Sequence, residues 1–238
     1  MSVRVLSVLS VALLTALVVA APVPKDKTIK EEPATNAQKK QAENNLKQIM
    51  IAIHSYHDAT GLWPQDTAGG LSWRVHLLPY LEEEALYKKF DLNGSWDSDT
   101  NKKLIEDMPK VFAPTRAMNV GKGETFLRGF GGTNVGTAGV FQLGQRITLV
   151  NVTDGTSNTL AVIDAGEAVT WTQAGTDLDP DAKEFPKLGK MIDGDYFFAA
   201  MCDGSVRKVT RKFDEKELKA FISRCGGEVT TGDGVFAK

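Results

Sequence analysis

Apolar side chains return at three- and four-residue steps through Leu46, Ile49, Ile53 and Tyr56, with Met50 and His57 flanking the same stripe. That spacing predicts an amphipathic helix. Its start is marked by "TNAQ", where Thr35 can serve as N-cap and Gln38, three residues on, can close a capping box. Gly61 and Pro64 supply the stop, glycine because it accepts positive φ at a helix C-terminus. A second helical stretch, "LSWRVHLLPYLEEEALYKKFDL", is interrupted at Pro79, which lacks a backbone donor and crowds the preceding turn. "SDTNKKLIEDM" predicts a short third helix with a serine or aspartate cap. Beyond Pro114 the periodicity dissolves into "GKGETFLRGFGGTNVGTAG", read as a long surface loop with one or two strand fragments.

From there the pattern changes to that of a sheet. "RITLVNV" and "NTLAVIDAG" are β-branched runs separated by the turn dipeptide Asp154-Gly155, and "AVTWT" adds a short strand. "DYFFAAMCDGSVRKVT" carries the clearest hairpin signal, two apolar arms joined across Asp203-Gly204. "FDEKELKAFISRCGG" closes the chain with a helix, Asp214 as cap, Glu217 completing a capping box and Cys225-Gly226-Gly227 at its end. There is no internal repeat. The order of elements predicts an α+β protein in which an N-terminal amphipathic helix packs on a C-terminal antiparallel sheet, with a glycine-rich irregular middle.

Ahead of the first helix, "MSVRVLSVLSVALLTALVVA" places Arg4 before an apolar run that ends in small residues. Residues 1–20 therefore read as a secretory signal peptide, cut near Val18-Val19-Ala20. The alternative is an uncleaved N-terminal anchor, since roughly 17–25 apolar residues span a bilayer. No cysteine stands near residue 20 to carry a lipid. Residues 21–35 are polar, charged and proline-bearing, a flexible linker, and 36–238 form one domain. The protein is thus expected to be exported to the periplasm or the cell exterior. Export leaves Cys202 and Cys225 in an oxidising compartment, where they can form one disulfide or stay as small core thiols. Across 238 residues, 42% hydrophobic and 24% charged content is ordinary for a globular chain, and a formal net charge of −2 provides no basic face for a nucleic-acid backbone.

The successive blocks "NNLKQIMIAIHSYHDATGLWP", "SWRVHLLPYLEEEALY", "DGTSNTLAVIDAGEAVTWT" and "FFAAMCDGSVRKV", followed by "CGGEV", resemble those of domain of unknown function 1559, a bacterial family of exported, pseudopilin-like proteins. The resemblance implies a helix continued from a pilin-like N-terminus and an Asp-Gly hairpin near the C-terminus. It also implies a prepilin leader cut after glycine and an unbroken apolar helix behind it. Here a conventional leader ending at alanine and a charged linker stand instead. The chain is similar to a secreted version of the head alone, without the helix that packs subunits into a filament.

Candidate chemistry is sparse. His54 and His57, one helical step apart, can share a face and chelate zinc, with Asp58, Cys202 or Cys225 to complete the sphere. Zinc requires three or four converging ligands, however, and His76 lies in another segment with no ligand at metal spacing. The packing reading places His57 beside the Leu46 stripe and His54 at its edge. Asp177, Asp179 and Asp181 in "DLDPD" offer carboxylates to calcium, but Ala182 and Leu188 stand where an EF-hand loop needs glycine and glutamate. What is left there is an irregular calcium loop or a solvated acidic loop. Ser157 lies outside any G-x-S-x-G elbow, and Ser205-x-x-Lys208 falls on a strand, so neither is assigned as a nucleophile. The glycine runs match no nucleotide-binding spacing. Trp63, Trp73, Trp96 and Trp171 can line a ligand groove or fill a core.

No catalytic or cofactor-binding residue is assigned. The first functional expectation is an exported, non-enzymatic pseudopilin-like protein with a structural, assembly or interaction role, contacting proteins and not nucleic acid. The alternative is a secreted binding module for a small solute or glycan, an activity to which one label of the family refers. The third, a metal-dependent hydrolase centred on His54 and His57, ranks last.

Overall fold

The structure, a computed structural model, describes residues 29–67 and 70–237. The expected leader and the first part of the linker lie outside the described residues. Helix α1 spans Asn36–Thr60. Thr35 Oγ1 accepts the Gln38 N–H at 3.2 Å, and the Gln38 side chain accepts the Thr35 N–H at 2.8 Å, so the capping box forms at both contacts. At the other end Gly61 takes φ 72° and donates its N–H to His57 O at 2.7 Å. Ala42, Leu46, Ile49, Met50 and Ile53 are buried along one stripe, while Ile51 on the outer side is 65% exposed.

The residues just before α1 depart from a flexible linker. Ile29 exchanges hydrogen bonds with the Asn119 side chain, through both its N–H and its carbonyl. Arg116 donates to Glu32 O, Lys190 pairs with Glu31, and the Ala34 N–H donates to Asp193. Polar composition suggested a solvated stretch, but these charges find fixed partners on distant loops, so 29–35 is docked.

Four strands form one antiparallel sheet in chain order: β1 Glu124–Gly129, β2 Leu160–Thr170, β3 Tyr196–Met201 and β4 Val206–Thr210. Along β3 the side chains alternate between two cores, as a period of two requires. Phe198 and Ala200 join the core under α1, whereas Phe197, Ala199 and Met201 join one under the C-terminal helix α4, Glu215–Ile222. Helix α1 lies over β3 and β4, giving the expected helix-on-sheet α+β arrangement. The β3–β4 turn runs through Asp203-Gly204, with Gly204 at φ 86°.

Several local expectations change under tertiary contacts. The stretch around Pro79 divides into α2 Trp73–His76, a 3-10 turn at Leu78–Leu81 and α3 Glu84–Tyr87. The third helix is a 3-10 segment, Asn101–Asp107. "RITLVNV" is no strand. Ile147 O accepts the Trp63 N–H, Thr148 caps a 3-10 turn and donates its N–H to the Asn151 side chain, and Val150 is left 85% exposed. The Asp154 carboxylate binds the Gly226 and Gly227 N–H groups instead of turning a hairpin. "GETFLRG" joins the sheet as its edge strand β1, and Gly129 there lets Phe141 approach: a Cβ would stand 2.1 Å from the Phe141 ring. Asp214 caps α4 as expected, but the Glu217 carboxylate accepts from Gly232 and Gly234 and so ties down the C-terminal segment.

Asp164, fully buried on β2, accepts the Met191 and Ile192 N–H groups and thereby fastens the loop before β3. Burial pushes its carboxyl pKa up to about 7, against the opposing pull of those N–H groups and Arg211. The folded state therefore binds a proton that the unfolded chain releases, and this contribution to stability falls as pH rises through about 7. Burial lowers the His76 pKa and so opposes this trend, but that contribution is common to wild type and Asp164→Asn and cancels in their difference. Wild type is expected to lose about 1 kcal/mol more stability than Asp164→Asn between about pH 6.5 and 8, as read from urea melts.

Candidate functional site

Where α1 ends, the chain wraps beneath α2 and leaves a cleft of about 230 Å³. It is lined by Tyr56, Leu62, Trp63, Gln65, Asp66, Thr67, His76, Gln145 and Arg146. Two of the sequence blocks meet here, "SYHDATGLWP" from the helix end and "SWRVH" from α2. Trp63 is held by its N–H bond to Ile147 O at 2.6 Å and packs edge-on against His54 and Phe141, with centroids 6.1 and 6.2 Å away. Gln65 donates from Nε2 to Val140 O at 2.7 Å, which fixes its amide orientation and leaves Oε1 as an acceptor. Arg146 stands exposed at the mouth.

Behind the cleft lies a buried ionic network. The Asp66 carboxylate accepts the Trp73 N–H at 2.7 Å and the Gly175 N–H at 2.6 Å. Desolvation and the neighbouring Asp177 raise its pKa to about 6. Arg74 is fully buried: Nε and Nη2 donate to Leu127 O at 3.0 and 2.8 Å, and Nη1 donates to Ser72 Oγ at 2.6 Å. Asp177 lies 3.7 Å from its Nη2 and accepts from Trp73 Nε1 and Gly129 N. His76 has its pKa lowered by burial, so its imidazole is neutral at pH 7. Its Nε2, Gln65 Oε1 and Trp63 Nε1 are each buried with no hydrogen-bond partner among the described residues. Such groups are uncommon in native proteins and cost free energy unless something satisfies them.

The residues singled out from sequence fall elsewhere. His54 packs against Trp63 and near the Gly204 turn, and His57 lies 3.9 Å from the mostly exposed Asp58. Asp177 is consumed by the Arg74 network, Asp179 by the Asp181 N–H, and Asp181 by Thr137 Oγ1. Among the described residues no three His, Cys, Asp or Glu side chains gather to hold a metal. Cys202 and Cys225 are free thiols: Cys202 is buried under α1, with burial raising its pKa, and Cys225 points its Sγ to Val135 O. Trp73 and Trp171 donate their indole N–H groups to Asp177 and Ile105 O within the core, so only Trp63 of the four tryptophans lines the cleft. Gln65, Asp66 and Arg146 were not singled out. Gln65 and Asp66 immediately follow Trp63-Pro64, which was the one available signal.

A helix laid on an antiparallel sheet, with a side cleft at the helix end, defines an α+β protein of the kind expected for pseudopilin-like heads. No described helix is long and apolar enough to cross a membrane. The chain belongs to the family described as protein of unknown function (DUF1559), which it matches over residues 36–191. That range contains every residue of the cleft and ends before β3. No curated protein and no solved structure matches.

Removing one member of a buried charge network leaves the others unsatisfied. Arg74→Leu is expected to cost about 3–5 kcal/mol in denaturant unfolding, because Asp177 and Leu127 O lose their partner in a dry site. Arg74→Lys should recover only part of this, since one ammonium cannot reproduce the two-nitrogen contact with Leu127 O.

Proposed function

We propose that this protein is an exported, non-enzymatic member of its family that acts through contacts with other proteins, in a structural or assembly role. The carrying observation is the surface around a second cleft, about 280 Å³, where Val135, Ile147 and Val150 stand among Gln145, Arg146, Asn151, Thr153, Arg224 and Cys225. Val135 is 60% and Val150 85% exposed, and Leu143, earlier on the same loop, is also exposed. Exposed apolar side chains rimmed by polar groups are a common mark of an interaction site. A photo-crosslinking residue in place of Val150, in cells, is expected to give a discrete adduct that the same residue at exposed Lys103 does not give. Val135→Asp should weaken that adduct. Equal labelling from both positions, or turnover of hydrolase substrates by the purified protein, would overturn the reading.

A second reading, a binding module for a small solute, is favoured by the cleft at the end of α1, whose wall brings together Tyr56, Trp63, His76 and Arg146. Arg146 borders both clefts, so the two readings share one surface loop.

A further inference from the structure

A third cleft, about 330 Å³, shares no lining residue with the two described above. Leu178, Phe185 and Pro186 give it an apolar side, and the Phe185 ring is stacked on Phe130 with centroids 6.4 Å apart. Its other lining residues are all charged: Arg128 from β1, Glu167 from β2, Asp179 from the loop after β2, and Glu184 and Lys187 from the segment before β3. Arg128 is half-buried and the other four are exposed, so each can be reached from the cleft. Among the described residues none of the five takes part in an ion pair.

Backbone pairing fixes where these charges stand. The Leu178 N–H donates to Gly129 O at 2.9 Å, which seats Asp179 beside β1. The Gly166 N–H donates to Lys187 O at 2.7 Å, which seats Lys187 beside Glu167. Only glycine allows that approach, since a Cβ at Gly166 would lie 2.4 Å from Lys187 Cβ. Between the pairs Leu127–Asp164 and Thr125–Val169 the register shifts, so residues 165–168 of β2 bulge opposite Phe126 alone. A bulge re-aims the side chains it carries. Glu167 sits on it, and Phe126 is two residues, or about 7 Å along the strand, from Arg128. Arg128 spends Nε on Thr176 O, and its two terminal nitrogens have no partner among the described residues.

The two signs of charge select the ligand. A simple anion gains Arg128 and Lys187 but is opposed by Glu167, Asp179 and Glu184, and a simple cation meets the reverse. A molecule with both charges a few ångströms apart meets each with its opposite. The planar guanidinium with two free nitrogens suits a carboxylate. Asp179 already spends Oδ1 on the Asp181 N–H, so Glu167 and Glu184 are the acceptors for an ammonium. Lys219 lies over the Phe185 ring at 5.3 Å but pairs with Glu215, so it adds no free charge on the apolar side.

We infer that this cleft binds a free α-amino acid with an apolar side chain. Its carboxylate lies on the Arg128 terminal nitrogens with Lys187 alongside, its ammonium between Glu167 and Glu184, and its side chain against Leu178, Phe185 and Pro186. This goes beyond both readings above, and with no lining residue in common its failure leaves them standing.

The test is calorimetric titration of the purified protein with three sets of probes: apolar amino acids, the matching carboxylic acids that lack the ammonium, and the matching amines that lack the carboxylate. Each runs to about 10 mM, so that millimolar binding is seen. At least one apolar amino acid is expected to bind one to one, and at least tenfold more tightly than either analogue. Glu167→Gln, at an exposed position, should weaken amino-acid binding about tenfold while strengthening that of the carboxylic acid, because a repelling charge is gone. Arg128→Lys keeps the charge, loses the two-nitrogen contact and should also weaken amino-acid binding about tenfold. A folding defect in one variant, seen by circular dichroism, leaves the other to decide. Analogues that bind as tightly as the amino acids would overturn the zwitterion assignment. Amino-acid binding unchanged in both folded variants would overturn the site, and no binding by any probe would overturn the inference as a whole.

Discussion

The guanidinium of Arg74 is the fixed point to which the irregular half of the molecule is fastened. It has no access to water, so its charge is tolerable only because three separate pieces of chain turn acceptors toward it: Leu127 O from β1, Ser72 Oγ from the start of α2, and Asp177 from the loop after β2. Asp177 in turn receives the Trp73 indole and the Gly129 N–H, and Asp66 receives the Trp73 backbone N–H. A long segment with little regular structure thus acquires one geometry through electrostatics in a dry site, where unpaired groups are costly. The cleft inherits that rigidity, because Gln65 and Asp66 sit on the strand of chain that the network holds.

Against this polar fastening, the sheet supplies an apolar frame with two sides. Strand β3 sends alternate residues into opposite cores, and α1 and α4 cover those two faces. The core beneath α1 is aromatic: Trp73 stacks near Phe141 at 4.6 Å, and Phe112 lies between Trp73 and Trp171. Most tryptophans are therefore occupied in packing, and the one at the cleft differs in that its indole N–H is left without a partner. Both clefts bordered by Arg146 lie where the frame ends, with the end of α1, residues from α2 and the 143–151 loop lining them.

Helix α1 was legible because its signals are local. Thr35, Gln38 and Gly61 act on backbone groups within one turn of themselves, and the Leu46 stripe needs only a surface to cover. The β3–β4 hairpin was legible for the same reason, since Asp203-Gly204 and the flanking alternation specify it without help. "RITLVNV" failed because β propensity describes residues that find a neighbouring strand, and no strand stands beside Val150. The glycine-rich stretch suggests a loop with one or two strand fragments, and β1 is such a fragment, with Gly129 serving the close approach of Phe141.

The histidine pair shows the same division at the level of function. Spacing alone put His54 and His57 near one another; only the packed structure decided that His54 meets Trp63 and that the third histidine, dismissed for lack of a neighbour in sequence, stands at the cleft. The sequence by itself determined the ends of α1, the final hairpin, the α+β order and the family. Tertiary structure decided the cleft, the buried Arg74 network and the free state of both cysteines. The network joins groups as far apart in the chain as Arg74 and Leu127, 53 residues, and Asp66 and Gly175, 109 residues, and no periodicity or cap records which distant groups will share a desolvated site.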